Sequence, residues 1–101
     1  MLNSALPADS RKRPQTNFPN PFNPKTKISF ELPIATRVKL VIYDALGREV
    51  RALTDEEYPA GYIELTWDGR NESGTVFSSG IYFYRISTSK WHSVNKMVLL
   101  R

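Results

Sequence analysis

Apolar and polar residues alternate with a period of two in several short stretches of this chain. In Lys27-Ile28-Ser29-Phe30-Glu31-Leu32, one face carries Ile28, Phe30 and Leu32, and the other carries Lys27, Ser29 and Glu31. Side chains point to opposite faces along an extended strand, so this is the pattern of a half-buried strand. Pro33 ends it. Thr36 to Tyr43 repeats the pattern with Val38, Leu40 and Ile42 inward. Asp44-Ala45-Leu46-Gly47 follows as a turn, Asp for side-chain-to-backbone bonding and Gly for positive φ. Arg48 to Leu53 predicts a short strand with Val50 toward the core, and the polar, acidic run from Thr54 to Ala60 predicts a loop. Tyr62 to Trp67 places Ile63, Leu65 and Trp67 on one face. Asp68 to Gly74 is turn chemistry. Gly80 to Ser87 is apolar or aromatic on both faces, as expected of a strand at the centre of a sheet. Ser87 to Lys90 turns the chain, and Trp91 to Leu100 predicts the last strand.

The stretch Asn17-Phe18-Pro19-Asn20-Pro21-Phe22-Asn23-Pro24 precedes these strands. Its prolines lack an N–H donor, so it predicts an edge strand or a polyproline-like lead-in, with Phe18 and Phe22 free to pin it to a core. Residues 1–16 show neither period and read as a linker, leaving 17–101 as the folded domain. About seven short strands without a helical segment predict an all-β antiparallel sandwich, with a small barrel as the alternative.

Composition adds little to fold class but narrows function. Twelve aromatic residues suit half-buried strand surfaces. The absence of cysteine removes disulfide frameworks, thiolate metal sites and cysteine nucleophiles. Net charge is +4, yet from Ser73 onward there is no acidic residue, while Arg85, Lys90, Lys96 and Arg101 are basic. That end is either a solvated basic face or a docking surface for an acidic partner. Residues 17–101 hold eleven basic against nine acidic residues, too balanced for a nucleic-acid binder. No apolar run is long enough to span a bilayer, so membrane insertion is not expected. Met1 to Pro7 lacks the basic start and apolar core of a signal peptide, so the chain carries no export signal of its own by that route.

Candidate chemistry is sparse. His92 is the only histidine and has no evident partner in sequence, and Ser78 and Ser79 stand in no nucleophile elbow. Asp68 to Gly74 fails as a calcium loop because Arg70 stands where an oxygen ligand is required. Asn71-Glu72-Ser73 matches a glycosylation triplet, which matters only in a host that modifies it. The expectation is therefore no enzyme, no cofactor and no metal. β-Sandwich modules can bind glycans through exposed aromatics, and Trp91, Tyr58 and Tyr62 are the candidates here.

The ordered motifs carry a further signal. Asn17 to Pro24, Thr26 to Phe30, Val41 to Val50, Gly61, Trp67-Asp68-Gly69-Arg70, Gly74, Ser79 to Arg85 and Lys96 to Arg101 together resemble the type A C-terminal sorting domain of the type IX secretion system. The immunoglobulin-like domain of the flagellar hook-capping protein has similar strand and turn motifs. The resemblance implies an immunoglobulin-like antiparallel β-sandwich of about seven strands, carried at the end of a longer exported cargo protein. It implies transit through the periplasm, recognition by the outer-membrane translocon, removal by a sortase in the preceding linker, and a cell-surface or secreted destination. It also implies that Gly80, Tyr82, Arg85, Lys96 and Arg101 take part in recognition. Arg11-Lys12-Arg13 would lie in the cleavage zone.

Overall fold

The computed structural model describes residues 16–19, 21 and 25–100. Seven strands run in the order β1 (Thr16–Phe18), β2 (Thr26–Leu32), β3 (Thr36–Asp44), β4 (Glu49–Tyr58), β5 (Gly61–Trp67), β6 (Gly80–Ser87) and β7 (His92–Leu99). They form a three-stranded sheet ordered β1-β2-β5 and a four-stranded sheet ordered β4-β3-β6-β7. Every pairing is antiparallel. The fold is the expected all-β immunoglobulin-like sandwich.

The alternation seen in the sequence builds the core. Ile28, Phe30 and Leu32 of β2 and Trp67 of β5 pack against Val38, Leu40, Ile42, Tyr84, Ile86, Met97 and Leu99 of the other sheet. All of these are essentially inaccessible to solvent. The Trp67 indole N–H donates to the Arg70 carbonyl at 2.9 Å, which satisfies its one polar atom on burial.

β4 departs from expectation. It continues through Asp55, Glu56 and Glu57 to Tyr58, where the sequence pointed to a loop. An edge strand exposes one side to water, so acidic side chains there cost little and protect the edge from unwanted pairing. Arg37 of β3 holds Asp55 at 2.9 Å, and the Thr54 and Tyr58 hydroxyls bond at 2.7 Å. Two register shifts between β3 and β4, at Leu40/Val41 and Ile42/Tyr43, accommodate the extra residues.

The lead-in also differs from expectation. Phe18 is 78% exposed and pins nothing. The work passes to polar groups: the buried Thr26 hydroxyl donates to the Pro19 carbonyl at 3.1 Å and accepts from the Asn17 amide at 3.1 Å. Phe22 and residues 1–15, with the expected linker and its Arg11-Lys12-Arg13 cluster, lie outside the described residues.

The β3–β4 turn is built on one carboxylate. Asp44 accepts from the Leu46 and Arg48 backbone amides, each at 2.9 Å, and from the Arg48 guanidinium at 2.8 Å. Gly47 sits at φ +84°, a conformation that favours glycine.

Candidate functional site

The four-stranded sheet has two faces of different character. Its inner face is the core. On its outer face, β6 presents Ile81, Phe83 and Arg85 between the buried Tyr82, Tyr84 and Ile86. Register sets the neighbours across the strands. Arg85 stands between Val41 of β3 and Val94 of β7, Phe83 between Tyr43 and Lys96, and Ile81 beside Val98. Ala52 of β4 lies opposite Val41. Val41 is only 3% exposed yet belongs to no part of the core between the sheets, as an outward residue covered by its own neighbours would be. Ile81 and Val94 are 43% and 56% exposed. The result is an apolar patch with Arg85 inside it and Lys96 beside it.

Charge is divided across this face. On the β4 side stand Glu49, opposite Tyr43, Glu57, opposite Arg37, and Asp55, which lies opposite Lys39 and is paired with Arg37. On the β6 and β7 side stand Arg85 and Lys96, with no acidic residue on either strand. Arg85 is exposed and makes no ion pair with any described residue.

The sequence-derived candidates fall into four groups. Arg85 and Lys96 come together on the outer face, as diagonal neighbours across β6 and β7. Gly80 opens β6 at φ +155°, and a side chain there would meet open space, so its requirement for glycine is one of backbone conformation. Tyr82 does not join them. It is 5% exposed and points into the core, where its ring meets Trp67 and Phe77 edge-on at 5.4 and 6.2 Å. Its hydroxyl donates to the Ser78 carbonyl at 2.8 Å. A partner approaching the outer face would not touch it. Arg101 lies outside the described residues.

Sequence reasoning missed the apolar part of this face. Val41, Tyr43, Val94 and Val98 sit on the outward parity of β3 and β7, and only the pairing of those strands with β6 makes them one surface. The aromatics considered for glycan binding do not converge. Trp91 is half-buried and packs on the core, Tyr58 is half-buried at the end of β4, and Tyr62 is exposed on β5 in the other sheet.

The turn regions are tied internally. Asn71 accepts through its side-chain oxygen from the Ser73 amide, the Ser73 hydroxyl and the Thr75 amide. Asp68 accepts from the Arg70 amide at 3.1 Å. Among the described residues no group of His, Asp or Glu side chains is arranged to hold a metal ion. Two ionisable groups are shifted. The Arg48 backbone amide, its bond only partly offset by burial, holds the Asp44 carboxyl below the ordinary range, and the Arg48 side chain and the Leu46 amide act in the same direction. Burial pushes the Tyr84 phenol up, while the 2.8 Å bond donated by the Asn95 amide works the other way.

These features define an immunoglobulin-like β-sandwich module whose distinctive surface is one apolar, partly cationic sheet face. The chain belongs to the FlgD Ig-like domain family, whose model matches residues 17–91. It is similar to FlgD from P. aeruginosa, with a TM-score of 0.57 and 26% identity over 73% of this chain and 58% of that one. It is also similar to dimeric latent PorU from Porphyromonas gingivalis, with a TM-score of 0.68 and 20% identity over 97% of this chain and 10% of that one. PorZ, an essential bacterial surface component of the type IX secretion system of P. gingivalis, gives a TM-score of 0.59 and 20% identity over 86% of this chain and 11% of that one. The chain thus spans about a tenth of PorU and PorZ, and at those identities the likeness is one of fold. No curated protein sequence matches it.

Proposed function

We propose that this domain is a non-catalytic sorting module that directs an exported cargo protein across the outer membrane by type IX secretion, after which a sortase removes it. The observation that carries the reading is the ordered motif set from Asn17 to Arg101, about 85 of 101 positions. The fold shared with PorZ, described as an essential bacterial surface component of the type IX secretion system, supports it. In this reading the partners are the translocon, the sortase and an upstream cargo domain. The location is the periplasm in transit and then the cell surface or medium. No cofactor takes part.

The test is a fusion of residues 1–101 behind a Sec signal and a reporter in a type IX-competent host. Surface display or release of the reporter is expected, with periplasmic retention in a translocon-deficient strain. Retention in the competent strain would sink the reading.

A second reading is favoured by the family match itself: a structural module in an extracellular assembly, as the hook-capping relatives suggest. It predicts the same stable sandwich but no export of a fused reporter.

A further inference from the structure

The outer face of the β4-β3-β6-β7 sheet is too apolar for a surface with nothing to do. Isolated exposed apolar residues are ordinary, but here Tyr43, Ile81, Phe83, Val94 and Val98 are contiguous through the strand register. Arg85 lies within them without an ionic partner among the described residues. Its guanidinium offers a planar fork of donors matched to a carboxylate. Interfaces enrich arginine and aromatic residues at their centres, where surrounding apolar contacts exclude water and strengthen a charge pair.

The charge pattern across the face says what fits it. Glu49 and Glu57 lie on the β4 side, where Asp55 is already paired with Arg37; Arg85 and Lys96 lie on the β6–β7 side. Strands lie about 4.8 Å apart, so the two signs are separated by roughly 10–15 Å. A partner that sets a carboxylate above β6 and apolar side chains around it matches this face.

We propose that this face docks a separate protein whose contact surface presents a carboxylate to Arg85 within a collar of aliphatic side chains. Under the sorting reading, on which this rests, that protein belongs to the export machinery. The face is then the recognition surface, with Arg85 its central anchor and Lys96 its flank. Tyr82 supports it from behind and makes no contact.

The experiment uses the full chain fused behind a signal and reporter, as above. Four variants are compared with the parent: Arg85→Glu, Arg85→Lys, Val94→Glu, and Thr66→Glu on the opposite sheet. Thermal unfolding of each purified domain identifies those that remain folded. Arg85→Glu and Val94→Glu are expected to lower reporter display by roughly tenfold or more, because an uncompensated like charge is brought into a desolvated contact. Thr66→Glu should stay close to the parent, and Arg85→Lys, which keeps the charge but loses the fork, should fall between the parent and Arg85→Glu. A photo-crosslinking residue at position 94 supplies a readout that needs no charge reversal. It should join the domain to a different polypeptide through a peptide containing Asp or Glu. Undiminished display of folded Arg85→Glu and Val94→Glu overturns the proposal while leaving the sorting reading intact. So does an adduct with a second copy, with the chain's own residues 1–15, or with a peptide lacking acid. Retention of the parent reporter in the periplasm removes the sorting reading itself.

Discussion

Replacing Tyr82 with Phe separates packing from recognition at one atom. The Tyr82 ring lies at 5.4 Å from Trp67 and 6.2 Å from Phe77, with interplanar angles of 66° and 63°. Phe keeps both contacts and removes only the hydroxyl that donates to the Ser78 carbonyl. A neutral hydrogen bond nets about 0.5–1.5 kcal/mol, since folding trades it against water. Ser78 is exposed, so water can take over its carbonyl when the phenol is gone. That places the loss at the low end, about 0.5–1 kcal/mol. In a domain near 100 residues 1 kcal/mol shifts Tm by roughly 4–8 °C, so a fall of about 2–8 °C is expected. Tyr82→Ala also loses both ring contacts and leaves a cavity, with a cost of about 3–5 kcal/mol. The assay is calorimetric or circular-dichroism melting at neutral pH, with urea unfolding to confirm an unchanged m-value. Reporter export by Tyr82→Phe should match the parent, because the hydroxyl never reaches the surface. An unchanged Tm with export lost would refute this reasoning and return Tyr82 to the recognition surface.

Three further outcomes follow from the same geometry. Gly80→Ala should cost about 1–3 kcal/mol in urea unfolding through backbone strain at φ +155°, not through a clash; a neutral result would contradict the backbone argument. The Asp44 carboxyl is held low in the folded state, so its contribution is present above the ordinary value near 4 and is lost as pH falls through the folded value. The Tm gap between parent and Asp44→Asn should therefore narrow in acid, and a gap constant with pH would count against the turn. The Tyr84 phenol is raised, so its contribution is complete below about pH 10 and is lost as pH climbs through the folded value. Tyr84→Phe should flatten that alkaline loss of urea stability, and an identical alkaline slope would show that another group is responsible.

The strands with one wet and one dry face were legible from alternation alone, as Ile28-Phe30-Leu32 and Val38-Leu40-Ile42 show. β4 was not, because an edge strand rich in Asp and Glu carries the composition of a loop while the β3 ladder holds it extended. β6 was legible as a central strand but not as to facing. With Tyr82 and Tyr84 on one parity and Ile81 and Phe83 on the other, hydrophobicity cannot say which side is core. The opposing sheet decides, by offering Trp67 to Tyr82. Hence Tyr82 and Arg85 look alike as motif positions and differ entirely in space. Lys96 was legible as an outward residue, whereas Arg85 shares its parity with Ile81 and Phe83 and takes its facing from the opposing sheet. Their apolar surroundings were not legible, since Val41 and Val94 are distant from each other in sequence.

The strand order also bears on when the domain can form. β6 joins the large sheet by pairing with β3 some forty residues earlier, and β2 pairs with β5 around the intervening β3–β4 hairpin. β1–β2, β3–β4 and β6–β7 are pairings of consecutive strands, and a two-stranded hairpin is marginal alone in water. Non-local pairings of this kind place such domains among the slower folders, in the range of about milliseconds to seconds. Until residues 80–99 are available, neither β3 nor the core facing it has its cover. A ribosome or membrane channel that delivers this segment last therefore delivers an unfolded chain up to that moment, and the arrival of β6 is the event that closes the sandwich.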